Sequence, residues 1–533
     1  MNTTELLKRL ETLKSERATL ETNWRDSYHY SAPQRQQFKT KRKEDEYKDL
    51  YDTTLIESTQ LLASSLQSGT VPANSQWFKM SAGVDNTSID SSDKWLEIVS
   101  TTMFKNIHNT NFDSEVYDYL TDLIVAGWGC LYIDMLEDKL NFRCWPIVNV
   151  YLDSHNEQQT IDCIYREYTL TASQIKNTYP NVSDSIQKSP DHKIFKLVHA
   201  IYPNKEYIPS KVSIKTNMPF KSIIIEQASR YILNESGYNT FPVVVSRFNK
   251  NYDNLYATGQ VNQVLEDARI VNKMNKLLLN SAELNLGGIW IAKNDGVVNV
   301  NNLQLRPRTI IPANSVDDIK RLDMNTNLNL SVELVSMYQM RIKRGMMSDQ
   351  LTPINSSPLS ATEVSARVNI IRNQLGSIFI RMQSEFLNNL LNRTFDLLLR
   401  ANIIPAPPVE LIQNKGEINF TFTNPLSQSN KLESVTNTNN WLSIILPLSQ
   451  VKPDILDNIN FDNIVYTLQD ALSISTDFLL SEEELDALRE QKAMQQEQQA
   501  AVAEQAQMNA LTAQDLALQK GAQELKVQGN TYD

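Results

Sequence analysis

The chain has 533 residues, of which 41% are hydrophobic and 21% are charged, so it has ample apolar material for a core and enough length for several domains. Its formal net charge of -11 argues against a general nucleic-acid-binding protein, whose surface would be basic. The three cysteines, Cys130, Cys144 and Cys163, are too few for a disulfide framework and lack metal-ligand spacing, which favours a reducing compartment.

The chain up to Gly127 has the apolar spacing of three and four that is typical of amphipathic helices. A first helix is predicted from Thr4 to about Tyr28. Asp52 is expected to cap a second helix that Gly69 ends, and Asp113 is expected to cap a fourth. The predicted buried positions are Leu6, Leu10, Leu13, Leu20 and Trp24, then Leu55, Leu62 and Leu66, then Trp95, Val99, Met103 and Ile107, and finally Val116, Leu120, Leu123 and Ile124.

Membrane insertion is not expected from the sequence. The helical pattern begins at the N-terminus without the apolar region of a signal peptide. The longest apolar run, from Leu123 to Ile133, is too short to span a bilayer and contains two glycines. These features predict a protein that is made and assembled in the cytosol.

From Cys130 to Phe248 the periodicity changes to two, which predicts an antiparallel β region. A short helix from Thr171 to Tyr179 is expected between two of its strands. The predicted strands are Leu131–Met135, Asn141–Leu152, Thr160–Thr169, Ile194–Tyr202, Lys221–Leu233 and Phe241–Arg247.

The pattern after Tyr256 predicts a helix, a small β unit between Ile289 and Leu322, and a second helix over about Leu330–Met347. The first of these helices has a narrow apolar seam that indicates packing against a helix of the same or another subunit. This seam consists of Val261, Val264, Ala268, Val271, Asn275, Leu278 and Ala282. The second helix ends in a basic cluster, Arg341, Lys343 and Arg344, whose simplest interpretation is a favourable interaction with the helix dipole of roughly 0.3 to 1 kcal/mol.

A long helix is predicted after a loop from Ser348 to Leu359 that contains Pro353 and Pro358. Ser360 and Glu363 form a capping box at its start, and prolines from Pro405 onward prevent its continuation. Its apolar stripe consists of Val364, Val368, Ile371, Leu375, Ile378, Met382 and Phe386. At a rise of 1.5 Å per residue such a helix would be roughly 60 Å long, so it must lie against several other elements or against neighbouring copies.

The C-terminal part begins with a predicted strand, Ile418–Thr423, which is followed by a mostly helical region that contains Trp441 and Phe461. From Ser481 onward alanine, glutamine and glutamate dominate, and ten acidic against four basic residues give this tail a charge of -6. Its apolar stripe is thin, so it is expected to be a helix that needs a partner or one that is partly frayed.

The search for catalytic or cofactor motifs gives no candidate. The sequence has no phosphate-binding glycine loop, no nucleophile elbow and no zinc-protease motif. The histidines, His29, His108, His155, His192 and His199, are scattered and lack a partner at metal-ligand spacing. We therefore expect no cofactor, no metal and no enzymatic activity.

The order of these elements resembles one family, the head-to-tail connector or portal proteins of short-tailed bacteriophages. The resemblance covers nearly the whole chain, and its specificity comes from the order and spacing of segments that are individually weak. The segments that carry it are Trp24–Pro33, Leu61–Met80, Val116–Ile133, Phe241–Phe248, Tyr256–Gly259, Ser360–Val364, Leu375–Ile378 and Leu480–Glu484.

This resemblance implies an α+β, mainly helical portal fold that assembles into a ring of about twelve subunits around a DNA channel. It implies a wing in residues 1–257, stem helices in 258–286 and 330–347, and a clip in 287–329. It further implies a channel loop in 348–360, a long wing helix with its following strand in 361–430, a crown in 431–480 and a tail helix in 481–533.

The resemblance also implies candidate sites and partners. Double-stranded DNA would pass Arg341, Lys343, Arg344, Asn355 and Ser356. The clip residues Lys293, Arg306 and Arg308 would contact the terminase motor or a tail adaptor. Subunits would pack through Val261, Val264, Ala268, Val271 and Leu278. The other implied partners are scaffold, major capsid and internal core or ejection proteins in a virion assembled in the bacterial cytoplasm, without stable membrane contact.

Two other functions remain open from the sequence. One is an oligomeric virion scaffold or adaptor without a channel, built through the same helices and tail. The other is a membrane-associated or nucleic-acid enzyme, which the missing motifs disfavour.

Overall fold

The computed structural model describes residues 2–35, 38, 47–82, 90–208, 217–252, 254–287, 289–292, 319–322, 328–351, 376, 378–408, 418–423, 425–449 and 459–472, and scattered positions between 485 and 520. The chain forms two compact units, Met1–Ser429 and Asn430–Asp533. The first unit combines helices with antiparallel sheets, and the described part of the second is helical. The expected α+β class is therefore confirmed.

The helices predicted for the N-terminal part are present as α1 (Thr3–Ser31), α2 (Thr54–Thr70), α3 (Asp90–His108) and α4 (Phe112–Ala126). Their predicted apolar positions are buried, with Leu20 partly so. The N-cap of α2 is Thr53, one residue after the predicted Asp52, but Asp52 Oδ2 still accepts from the backbone N–H of Thr54 at 3.1 Å.

Two further helix boundaries differ from the prediction. Gly69 lies inside α2, because the helix continues through Thr70 with Thr70 fully buried. The N-cap of α4 is Asn111, and Asp113 lies in the first turn of that helix, where a carboxylate favours the helix dipole.

The β region consists of β2 (Trp128–Leu136), β3 (Lys139–Cys144), β4 (Val150–Asp153), β5 (Cys163–Thr171), β6 (Ile194–Pro203), β7 (Phe220–Glu226), β8 (Ile232–Tyr238) and β9 (Val243–Arg247). The strands β4-β5-β6-β7-β8 form one sheet and β3-β2-β9 another, with antiparallel neighbours in both. The short helix predicted after β5 is confirmed as α5 (Ala172–Thr178), and α6 (Asp184–Gln187) follows it.

Two of the predicted strands are each divided in the structure. A turn of 3-10 helix, Ile147–Asn149, separates β3 from β4 directly after Pro146. The other break lies between β7 and β8, where Arg230 has a φ of 59° and its N–H donates to the Glu226 carbonyl. Residues 227–230 contain neither glycine nor proline, so the usual sequence signal for a turn is missing there.

The first half of α1 covers one face of the larger sheet. Leu6, Leu10 and Leu13 pack there against strand residues such as Tyr151 and Ala200. Arg17, only 1% exposed, donates to the carbonyls that join β3 to β4, those of Ile147 (3.1 Å), Val148 (2.8 Å) and Val150 (2.6 Å). The second half of α1 enters the main core through Trp24 and Tyr28.

The middle of the chain has the predicted order of helix, β unit and helix. It contains α7 (Val261–Gly287), the antiparallel pair β12 (Ile289–Ala292) and β13 (Ile319–Leu322), and α8 (Leu328–Gly345). The short strands β10 (Asn249–Lys250) and β11 (Ala257–Thr258) pair just before α7. The loop expected from Ser348 begins instead with one helical turn, α9 (Ser348–Leu351).

The long predicted helix is described in its second half. Residues 376 and 378–382 are helical, a π-helical turn covers Gln383–Leu387, and α10 (Asn388–Arg400) follows. The stripe residues Ile378, Met382 and Phe386 are buried as expected. The predicted capping box at Ser360 and the stripe from Val364 to Leu375 lie outside the described residues.

The predicted strand after α10 is confirmed as β14 (Ile418–Phe422), and its antiparallel partner is β1 (Phe78–Ala82). This pair joins two segments of the first unit that lie more than 300 residues apart in the sequence. The helices α11 (Pro425–Ser449) and α12 (Phe461–Leu472) then confirm the predicted helical region.

Gly127 fixes the position of α7 against α4. It ends α4 with a φ of 91°, a conformation that L-residues with a side chain rarely adopt. A Cβ at this position would overlap backbone atoms of Thr258 and Gly259, directly before α7. The two backbones can approach this closely only because the position lacks a side chain.

We predict that Gly127→Ala lowers the stability of the first unit by roughly 2 to 5 kcal/mol, because backbone strain adds to steric overlap. Urea unfolding followed by circular dichroism would measure the loss. Gly376→Ala is the control, since a Cβ there meets no atom within 4 Å and should be neutral or slightly stabilising. Equal unfolding midpoints for the two variants would contradict the account.

Candidate functional site

The candidate site is the junction of α7 and α8, where the basic end of α8 meets the start of α7. Four of the predicted seam residues, Val261, Val264, Ala268 and Val271, are buried, and Leu278 is partly buried. The facing side chains on and after α8 include Val335, Ile342 and Met346, which belong to the same core cluster. The seam is thus confirmed as a helix-packing seam, and it is filled within one chain.

The backbone at the end of α8 is held by close packing and hydrogen bonds. A Cβ on Gly345 would overlap the Val264 side chain, so glycine permits the close approach of the two helices. Gln260 Nε2 donates to the Gly345 carbonyl at 2.6 Å. Ser348 Oγ lies 3.1 Å from the Lys343 carbonyl and 2.9 Å from Ser58 Oγ on α2. The basic cluster is therefore presented from a fixed helix end.

A second set of hydrogen bonds ties the segment 49–52 to both helices. Asn272 Oδ1 accepts from the Tyr51 backbone N–H at 2.6 Å, and Asn272 Nδ2 donates to the Asp49 carbonyl at 2.8 Å. Gln339 Nε2 on α8 donates to Asp52 Oδ1 at 2.7 Å. These contacts were not predicted. One feature of the sequence could have indicated them, because Asn275 is a polar residue within the apolar seam. Its Nδ2 donates to the Tyr51 carbonyl at 3.1 Å.

The basic residues of α8 differ in their local partners. Arg341 is exposed, pairs with Asp267 on α7 at 3.2 Å, and lies 5.1 Å from the Tyr338 ring centroid. Lys343 and Arg344 are also exposed, and in the described part of the chain neither forms an ion pair. The positive charge of these two side chains is therefore available to an external anion, whereas that of Arg341 is partly balanced within the chain.

The remaining predicted site residues are Asn355 and Ser356 of the channel loop and Lys293, Arg306 and Arg308 of the clip. All of them lie outside the described residues. The strand pair β12 and β13 frames the clip residues in the sequence, with Ile289 opposite Leu322 and Ala292 opposite Ile319.

Apolar side chains on both helices are exposed in the single chain. They are 37% to 67% exposed and comprise Ile270, Leu277 and Leu279 on α7 with Leu330, Val332, Leu334, Met337 and Met340 on α8. Scattered apolar residues are common on protein surfaces, but several on one helix pair are typical of an interaction surface.

Within the described ranges, no helix is both long enough and apolar enough to cross a bilayer. The same residues contain no group of histidine, cysteine and carboxylate side chains that could hold a metal ion. Cys130 and Cys163 are buried free thiols, and burial raises the pKa of both. Both therefore act as small core residues.

Comparison with known proteins gives a consistent result. The sequence profile of the family described as Bacteriophage head to tail connecting protein matches residues 3–480. The portal protein of Salmonella phage epsilon15 is 24% identical over 523 residues, which cover 92% of this chain and 91% of that protein. The probable portal protein of Bordetella phage BPP-1 is 24% identical over 523 residues, covering 94% of this chain and 93% of that protein.

We predict that Asn272→Ala lowers the free energy of unfolding by roughly 1 to 3 kcal/mol, because it leaves a backbone donor and a backbone acceptor of the 49–52 segment without partners. Lys276→Ala is a control on the same helix and segment, since it removes an exposed ion pair with Asp49 at 3.2 Å and a contact of Nζ with the Tyr51 ring at 5.3 Å, but no buried hydrogen bond. Its urea midpoint should stay close to that of the wild type. If both variants lose equal stability, the hydrogen bonds of the buried Asn272 amide stabilise the fold no more than the exposed contacts of Lys276 do.

Proposed function

The chain belongs to the bacteriophage head to tail connecting protein family and has a phage portal function, and on this premise we propose that its copies form a ring around the DNA channel of one capsid vertex. The observation that carries the family assignment is a profile match over residues 3–480. A portal protein is a structural component of the virion that contacts capsid and tail components. The proposed ring would nucleate the procapsid, pass DNA during packaging and ejection, and retain the genome between these steps.

In this proposal the wing comprises residues 1–257 and the clip residues 287–329, between stem helices in 258–286 and 330–347. Residues 348–360 form the channel loop, 361–430 the long wing helix with its strand, 431–480 the crown and 481–533 the tail helix. The observed bounds of α7 (Val261–Gly287) and α8 (Leu328–Gly345) support the proposed stem limits to within a few residues. The proposed further partners are the terminase motor, scaffold, major capsid, tail adaptor and core proteins.

The proposed contact between subunits uses the side of the helix pair that faces away from its own core. The family resemblance implies Val261, Val264, Ala268, Val271 and Leu278 as subunit-packing residues, but the first four are buried by contacts within the chain. Burying the exposed set around Leu277 and Met340 against a second copy would remove apolar surface from water, at about 25 cal/mol per Å². We therefore assign ring formation mainly to the exposed set, with Leu278 at its margin.

We predict that the double variant Leu277→Gln, Leu279→Gln reduces ring formation while the single chain still folds. Both side chains are more than half exposed, at 54% and 58%, so the fold does not depend on them. Negative-stain images and sedimentation velocity would give the ring fraction. Lys273→Gln, at another exposed position of α7, is the matched control and should leave the rings unchanged. Unaltered rings in the double variant would refute the proposed contact.

The proposed channel contact with DNA is electrostatic and local. The net charge of -11 keeps the protein from holding the duplex tightly, which suits a passage. In a ring, Lys343 and Arg344 recur in every subunit, and together they would form a basic band on the duplex. Asn355 and Ser356 would add polar contacts from the channel loop, while Arg341 is a weaker candidate because it pairs with Asp267. Lys293, Arg306 and Arg308 are proposed for the motor or adaptor contact.

We predict that Lys343→Glu combined with Arg344→Glu lowers the amount of DNA retained after packaging and weakens the salt-dependent binding of duplex DNA by the rings. Each lost phosphate contact should reduce the slope of log K against log salt by about 0.9. Lys188→Glu with Lys205→Glu makes the same charge change at exposed wing positions and serves as the control. Retention equal to that of this control would exclude the basic band.

Electron-microscopy class averages of the purified protein test the function directly. Open rings with a central channel support the portal proposal. Filaments or compact dimers would instead support the oligomeric scaffold or adaptor, which shares the same exposed helix surface but lacks a channel.

A further inference from the structure

A group of arginine and aromatic side chains links the two larger sheets of the first unit. Arg143 Cζ lies 5.5 Å from the ring centroid of Tyr132, which stacks on Trp145 at 4.6 Å with an interplanar angle of 12°. Arg166 Cζ on β5 lies 4.5 Å from the Trp145 ring and 4.9 Å from the Tyr168 ring. We call these five residues the arginine-aromatic stack.

The stack contains two buried N–H donors that lack an acceptor. Both Arg166 Nε and Trp145 Nε1 are fully enclosed and make no hydrogen bond. The terminal Nη atoms of Arg166 are not among the enclosed atoms, and Arg143 is exposed. Buried donors in native proteins are almost always paired, so the surroundings of Arg166 are poor in acceptors compared with a usual protein interior.

Other buried or partly buried arginines in this unit are balanced by carboxylates. Arg17 pairs with Glu21 at 2.6 Å, Arg35 with Asp122 at 2.6 Å, and Arg247 with Glu385 at 2.5 Å. Within the described ranges, neither Arg143 nor Arg166 has an ion pair or a hydrogen bond to its guanidinium. The arginine-aromatic stack therefore departs from the way in which this protein usually balances a buried positive charge.

The groups around the stack leave it with excess positive charge. Asp134 accepts from Tyr132 Oη and from the Met135 N–H, and in the described part of the chain it forms no ion pair with Arg143 or Arg166. His199, opposite Arg166 in the sheet, is bonded to Ser222 at 2.8 Å, and burial together with the two arginines lowers its pKa to about 3. Burial likewise lowers the pKa of Arg166, because no anion offsets its desolvation.

We propose that the arginine-aromatic stack is a binding site for an oxyanion, either a phosphate or a carboxylate group, held by Arg166 with Arg143 as the second cation. The rings limit access to the faces of the Arg166 guanidinium and its Nε is enclosed, so the ligand meets the planar edge formed by the two Nη atoms. This edge matches the paired oxygens of a carboxylate or phosphate. The site lies outside the α7–α8 junction and does not depend on the portal function.

Thermal unfolding of the full chain at pH 7 tests the site, with sodium phosphate and sodium acetate compared with sodium chloride at equal ionic strength. We expect phosphate, acetate or both to raise the wild-type midpoint above its value in chloride by roughly 2 to 4 °C. Arg166→Gln should lose this rise, Arg143→Gln should show a smaller one, and Arg230→Gln, an exposed control in the same unit, should retain it fully.

A rise in phosphate alone identifies a phosphate site, a rise in acetate alone identifies a site for acidic side chains, and either result supports the proposal. In chloride, Arg166→Gln should unfold at the same or a higher temperature than the wild type, because it removes an unbalanced buried charge. If that variant does not fold, the exposed Arg143→Gln carries the test. The proposal is overturned if neither anion exceeds chloride, or if the folded variants respond like the wild type.

Discussion

The structure of the first unit depends on the burial of one side of α7. That side packs against α1, α2, α4 and α8, so a single helix joins the N-terminal helices to the basic end of α8. Two glycines permit the necessary approaches, Gly127 at the end of α4 and Gly345 at the end of α8, since a Cβ at either position would overlap a neighbour. A helix held on several sides in this way can present its remaining surface, and that of α8, in a fixed orientation.

Polar groups in this core are paired with few exceptions among the described residues. Asn272 and Gln339 satisfy backbone and carboxylate groups of the 49–52 segment, while buried Asp122 accepts from Tyr28 at 2.6 Å and from Arg35. Breaking such a pair would leave a buried polar group unpaired, which is costly in a low-dielectric interior. The Arg166 guanidinium stands out against this background, because no carboxylate within the described ranges balances its charge, and for that reason it indicates a ligand.

The same helix pair combines the two properties that the proposed ring-shaped channel requires. Exposed apolar side chains such as Leu277 and Met340 suit contact with a further copy, and the exposed cations Lys343 and Arg344 suit weak, repeated contact with phosphates. An overall negative charge opposes tight binding of the duplex, so the strength of the contact would be set by a few cations per subunit. Assembly and passage would thus use different faces of one rigid element.

The sequence alone determined the helices, because their spacing of three and four is a local property, and it also located most strands and the packing seam of α7. The order of these segments further indicated the connector family. Only the tertiary structure decided that β1 pairs with β14, that Asn272 holds Tyr51, and that Val261 and its seam neighbours are filled within the chain. These contacts join residues far apart in sequence, so no local period encodes them. Two further features were not predicted, the break between β7 and β8 and the π-helical turn at Gln383–Leu387. At both places the local sequence pattern continues without interruption, so the change of backbone conformation depends on the tertiary structure.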